Sequence, residues 1–180
     1  LRTAIGDFPH CDMQRGARAL VFADGTPGAA LMLIGEAPDR DEDRTGTPFA
    51  GQAGVLLDRM LEAIDRGRTH GDAPVYLAPA LPWRPPQGRD PKPAEIAMLR
   101  PFLMRHIELA QPKVLALMGN GACQAVLGRR GVARMRGKWT EAAGLPTLPM
   151  YHPGYLLRYP EFKRDAWTDL LSLQRKLRDG

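Results

Sequence analysis

The chain has little cysteine, one asparagine, and no apolar run long enough to cross a membrane. Each shortage removes a class of protein. Cys11 and Cys123 are its two cysteines, and they form no CxxC pair and no four-ligand set, which excludes a disulfide scaffold and a Cys-based zinc or iron–sulfur site. A membrane helix needs roughly 18 or more consecutive apolar residues, and none occurs. No signal-peptide pattern is visible, so a cytoplasmic protein is the default. There is no internal repeat, no low-complexity linker and no G-x-S-x-G nucleophile motif, which speaks against a serine hydrolase.

What remains is a soluble-type composition, with 44% hydrophobic and 25% charged residues over 180 positions, enough for one domain with its own core. We therefore expect a single domain over residues 1–180. The net charge of +5 permits an anionic partner such as nucleic acid.

Four short apolar runs look like strands: Ala29–Ile34, Val75–Leu81, Val114–Met118 and Thr147–Tyr151. They are nearly continuous in apolar character, as strands covered on both faces are. Helical stripes separate or follow them: Leu57, Met60, Leu61 and Ile64; Ile96, Leu99 and Leu103 after Pro93; Gly121 to Leu127; and Trp167, Leu170, Leu171 and Leu177. Alternating strands and helices argue for a three-layer α/β/α sandwich around a mainly parallel sheet. Ligands of such sheets bind beyond the carboxyl ends of the strands.

Two segments follow predicted strands and so share that edge. The first runs from Gly35-Glu36-Ala37-Pro38 to Gly46-Thr47-Pro48-Phe49-Ala50-Gly51, and holds Glu36, Asp39, Asp41, Glu42 and Asp43. It reads as a solvated acidic loop, or as carboxylates that hold a water, stabilise a cationic sugar or bind magnesium. Phe49 is either core or a flat face for a base. The second segment is His152-Pro153-Gly154-Tyr155-Leu156-Leu157-Arg158. A neutral His152 there could donate to a carbonyl oxygen that gains negative charge. Leu156 is either a staple into the core or a wedge that fills the gap left by a displaced base. Arg158 could hold a phosphate.

Three further segments carry charge or backbone donors. The Pro-rich stretch from Trp83 to Pro91 is stiff and contains Arg84 and Arg89. Arg129 to Lys138 has five cations in ten residues, among them Arg134 and Arg136, and is either a solvated face or a phosphate contact. Gly119-Asn120-Gly121 lies at a strand–helix junction, where backbone N–H groups can approach an anion.

Together these residues resemble the uracil-DNA glycosylase superfamily, most closely its bacterial family 4 branch, from about Phe8 to Leu177. The first segment is similar to that family's first motif, and His152 to Leu157 to its second, usually His-Pro-Ser-x-Leu-Leu. Arg84-Pro85-Pro86 with Arg89 resembles its Pro-rich loop. The resemblance implies a four-stranded parallel sheet between helices. It implies Glu36 and Glu42 at the catalytic water, Ala37 and Phe49 at the extruded base, His152 as donor to uracil O2, and Leu156 as the wedge. DNA contacts fall to Arg84, Arg89, Arg134, Arg136 and Arg158. The implied enzyme acts as a monomer on uracil-containing DNA, hydrolysing the N-glycosidic bond of deoxyuridine and leaving an abasic site.

There are three departures. Family 4 proteins hold a [4Fe–4S] cluster on four cysteines. Here Cys11 alone matches, while Phe8, Trp83 and Leu99 stand at the other positions, so no cofactor and no metal is expected. The family's base-reading asparagine is replaced by Pro79, which leaves Asn120 or nearby backbone to read the base. Gly154 replaces the usual serine. The Pro79 departure opens two alternatives: a glycosylase of altered base preference, such as hypoxanthine or xanthine, or a non-catalytic binder of uracil-containing or single-stranded DNA.

Overall fold

The computed structural model describes residues 1–180. In chain order the elements are α1 (Arg2–Gly6), α2 (Met13–Gly16), β1 (Asp24–Gly25), β2 (Leu31–Gly35), α3 (Arg40–Thr45), α4 (Gly51–Glu62), β3 (Val75–Pro79), α5 (Pro93–Ala110), β4 (Val114–Met118), α6 (Asn120–Leu127), α7 (Val132–Met135), β5 (Thr140–Ala142), β6 (Leu145–Met150), α8 (Pro153–Arg158) and α9 (Lys163–Asp179).

The sheet has six strands in the order β1-β3-β2-β4-β6-β5. Its central four, β3-β2-β4-β6, are parallel, and they are the four apolar runs of the sequence. The expected four strands are corrected to six by β1 and β5, which add antiparallel edges. Both edge strands are very short and lack an apolar run, so nothing in their composition marks them.

Every residue of β2, β3 and β4 is buried. Successive strand residues point to opposite faces, so the sheet is covered on both sides. One outer group is α4 with α8 and α9; the other includes α5 with α6. On α9 the buried face is Ala166, Asp169, Leu170 and Leu173. Trp167 and Leu171, expected in the apolar stripe, are 45% and 40% exposed.

The acidic loop is a helix. Asp39 caps α3, accepting from the Glu42 N–H at 2.9 Å, while Glu42 accepts from the Asp39 N–H at 3.1 Å. This reciprocal capping box satisfies two N–H groups that a helix start leaves open.

The residues at the implied cluster positions do not fit a cluster. Trp83 and Leu99 are 2% and 1% exposed within the main core. Phe8 packs edge-on to Phe102 with ring centroids 5.1 Å apart. Burial pushes the Cys11 thiol above its usual pKa, and the thiolate is the form that binds metal. One protonated thiol among aromatic and aliphatic packing has no ligand set, and this corner of the fold is held by apolar contact.

Candidate functional site

The parallel strands end on a common edge, and the two motif segments meet there. Glu36 follows β2 and His152 follows β6, on either side of β4. Gly119 and Gly121, just beyond β4, leave room for the Glu36 side chain: a Cβ at Gly119 would lie 2.6 Å from Glu36 Oε1, and one at Gly121 3.0 Å from Oε2. The Gly121 N–H donates to Glu36 Oε2 at 3.2 Å. The anion expected at this glycine pair is thus the protein's own carboxylate at the N-terminus of α6, where the helix dipole favours it.

His152 is half-buried and caps α8, its Nδ1 accepting from the Gly154 N–H at 2.9 Å. That bond fixes the tautomer. With Nδ1 as acceptor, the neutral ring carries its proton on Nε2, which is left as a donor. Burial holds the His152 pKa below its ordinary value, although the Glu36 and Asp39 carboxylates pull it the other way.

Phe49 stacks on His152 with centroids 5.5 Å apart and planes 16° from parallel. Its backbone has φ 52°, a left-handed conformation that a bulky residue adopts only when held there. Two clamps hold it. Its N–H donates to Glu42 Oε2 at 2.8 Å, and Arg68 donates to the carbonyls of Pro48 and Phe49. Arg68 is anchored by Asp24 at 3.0 Å and Asp58 at 2.8 Å. No local pattern singles out Arg68; its role depends on contacts reaching as far as residue 24. Gly35 completes the seat, since a Cβ there would lie 2.7 Å from the tip of the Phe49 ring.

Two clefts open on this edge and share Glu36. The larger, about 360 Å³, includes Ala37, Arg40, Arg84, Arg89 and Arg130 in its lining. The smaller, about 160 Å³, includes Asn120, Val132, Ala133, Tyr151, His152 and Tyr155.

Several sequence expectations change here. Glu42 is 7% exposed, and its two oxygens receive the Asp39 and Phe49 N–H groups, so it holds the site from behind and lines neither cleft. Burial and the neighbouring Asp39 carboxylate push its pKa up to about 7. Asp43 accepts from the backbone of Arg18 and Ala19, so it too serves the fold and not a magnesium ion. Asn120 uses Oδ1 to accept from the Gly131 and Val132 N–H groups at 2.9 and 2.8 Å, tying α7 to α6. Its carbonyl is therefore engaged away from a base. Pro79 is buried and lines a separate small apolar cavity with Ile5, Val21, Phe22 and Leu99.

Leu156 is 1% exposed, because the α8 helix turns it toward the core, where it lines an apolar groove with Met60 and Leu170. A wedge must be exposed; on this helix Leu157 is, at 41%. Arg136 forms a two-pronged ion pair with Asp169 at 2.6 and 2.8 Å, and Asp169 is 1% exposed. Arg89 is likewise paired with Glu95 at 2.8 and 3.0 Å. These two guanidinium groups are committed to the fold. Arg134 and Arg158 are exposed, and Arg84 lines the larger cleft with its Nε buried and unpartnered.

Residues 22–171 match the family model described as the uracil DNA glycosylase superfamily. The chain is 33% identical to the type-4 uracil-DNA glycosylase of Archaeoglobus fulgidus over 168 residues, covering 88% of this chain and 82% of that protein. It is 32% identical to the type-4 enzyme of Thermotoga maritima over 82% of this chain and 77% of the relative, and 30% identical to that of Sulfurisphaera tokodaii over 91% and 77%. With the motif segments meeting at one sheet edge and the matches spanning most of its length, the chain belongs to the uracil-DNA glycosylase superfamily.

Proposed function

We propose that this protein hydrolyses the N-glycosidic bond of deoxyuridine in DNA, releasing uracil and leaving an abasic site. Its partner polymer is DNA, the substrate named for its relatives. The observation that carries the reading is the His152 tautomer, with Nδ1 accepting from Gly154 and Nε2 left to donate.

Cleavage leaves positive charge on the sugar and negative charge on the departing base. A neutral imidazole donating from Nε2 to the base oxygen stabilises the second charge without adding a proton to the balance. The Glu36 carboxylate, seated on the α6 N-terminus, faces both clefts and supplies the opposite charge for the sugar and an acceptor for the attacking water. Glu42 acts through Phe49 by holding its strained backbone, which makes it a positioning residue. Phe49 is 3% exposed, so a base stacks on it only after local opening. Arg84, which lines the larger cleft, is the cation assigned to a phosphate.

The test is excision from single-uracil oligonucleotides, read as alkali-labile abasic product. Turnover that falls in both His152→Ala and Glu36→Gln supports the assignment. Full activity in both variants refutes it.

A second reading follows from Pro79 and Asn120. Pro79 has no side-chain amide, and the Asn120 carbonyl is occupied by backbone. A base edge that meets no amide carbonyl is discriminated less sharply, by orders of magnitude where such a contact normally sets the choice. This favours relaxed base preference. A panel of oligonucleotides carrying uracil, hypoxanthine or xanthine separates the readings, since exclusive uracil release removes the second.

A further inference from the structure

The reaction scheme leaves unused a run of aromatic rings that starts at the His152 cleft. Tyr151 and Tyr155 stack with centroids 5.0 Å apart and planes 15° from parallel. Tyr159 continues the run 4.8 Å from Tyr155. Phe162 touches two of the rings at a tilt, 5.3 Å from Tyr151 and 5.5 Å from Tyr155. Tyr151 is buried at 4%, while Tyr155 and Tyr159 are 37% and 41% exposed. Two surface rings are thus held in place by inner ones.

The charges around them are mostly of one sign. Residues three and four apart share a helix flank, so Tyr155, Arg158 and Tyr159 lie along one side of α8 and its last turn. Arg158, Lys163 and Arg164 are exposed, with Glu161 the one exposed acid between them. Across the cleft, Ala133 lines the same cavity as Tyr155, and the exposed Arg134 follows it.

Flat faces interleaved with cations suit a polymer of flat bases and phosphates. A protein partner would not require the cations, and a duplex keeps its base faces stacked on one another. We infer that Tyr155 and Tyr159 form a stacking platform for unpaired bases flanking the extruded nucleotide, so that the protein favours single-stranded DNA. The inference rests on the reading above that this chain works on DNA. The rings are already ordered by their neighbours, so binding to them loses little side-chain entropy.

The experiment measures anisotropy of a labelled uracil-free oligothymidylate and of a duplex of equal length. The proteins are the wild type, Tyr155→Ala/Tyr159→Ala, the single Tyr159→Ala, and Tyr155→Phe/Tyr159→Phe. Wild type should bind the single strand more tightly than the duplex. Base–aromatic stacking predicts about tenfold weaker single-strand binding for each alanine, with duplex binding little changed. The phenylalanine pair should restore it, because stacking needs the ring and not the hydroxyl. The single Tyr159→Ala variant, at the outer end of the run, guards against loss of folding in the double. Unchanged single-strand affinity in both alanine variants, or an equal loss on both DNA forms, overturns the platform while leaving glycosylase action standing. A wild type that binds neither DNA form and releases no uracil overturns the DNA reading itself, and the platform with it.

Discussion

His152 does two jobs on one imidazole, and they can be separated. Nδ1 caps α8 by accepting from Gly154, and Nε2 is the proposed donor to the base. His152→Ala removes both. Losing a helix N-cap costs about 1 kcal/mol, which in a chain of this size lowers Tm by roughly 2–4 °C. Losing a donor to a developing anion costs about 10²- to 10³-fold in kcat. His152→Asn keeps a strong N-cap, because Asn is among the best capping residues, but its short amide cannot cap and also reach the base. The alanine variant should therefore lose both stability and activity, and the asparagine variant activity alone. Thermal melts with single-turnover excision on the same preparations read the two effects apart. The pH profile gives an independent check. Protonation would place a second donor on Nδ1 against the Gly154 N–H, and burial already disfavours the cation. With its folded pKa below the ordinary 6.5, the neutral ring persists as pH falls through that value, so the acid limb due to His152 should lie lower. Its contribution to stability is fully present above the unfolded pKa and is lost as pH falls toward the folded one. Near-wild-type excision by His152→Ala, or an acid limb above the ordinary value that His152→Asn abolishes, would refute the tautomer argument.

Four other outcomes are expected. Glu42 has a folded pKa raised from 4.5 to about 7, so the folded state binds its proton more tightly; stability should decline as pH rises across that interval, by about 3 kcal/mol, and Glu42→Gln should flatten the slope in denaturant titrations. Leu156→Ala should cost about 2–5 kcal/mol by leaving a core cavity, whereas the exposed Leu157→Ala should lie within about 0.5 kcal/mol of wild type in the same melts. Arg136→Ala strands the buried Asp169 and should destabilise by about 3–5 kcal/mol, while Arg134→Ala should spare stability and lower the salt slope of DNA binding by about one, read from affinities at several salt concentrations. Gly35→Ala puts a methyl 2.7 Å from the buried Phe49 ring and should cost about 1–3 kcal/mol, with reduced excision as the ring leaves His152.

The four central strands were legible because each is a short, nearly unbroken apolar run, which a sheet covered on both faces requires. That Glu36 and His152 share one sheet edge was legible for the same reason, since both residues lie just past the ends of such runs. Asp39 and Glu42 stand in capping-box spacing, but five carboxylates in eight positions suit a solvated loop equally well, and only the folded chain shows Arg40–Thr45 to be a helix. A Pro-Gly pair suits a loop tip as well as a helix start; here Pro153 is the first residue of a helix whose inward side takes Leu156.

The sequence alone determined the four central strands, the sheet edge on which the motifs fall, the family likeness and the count of cysteines, because these follow from residue type and short-range pattern. Only the tertiary structure decided which polar groups are free to act. Glu42, Asn120, Arg89 and Arg136 look as available in the sequence as Arg84, Arg134 and Arg158, yet each already holds a protein partner, from six residues away for Arg89 to 33 for Arg136. A donor or acceptor can be assigned to a ligand only after its protein partners are known, and the folded backbone decides which of the possible partners it meets. The aromatic run is the converse case: its rings are plain in the sequence, but only the fold brings Tyr155 to the surface in the histidine's cleft with Tyr159 next to it.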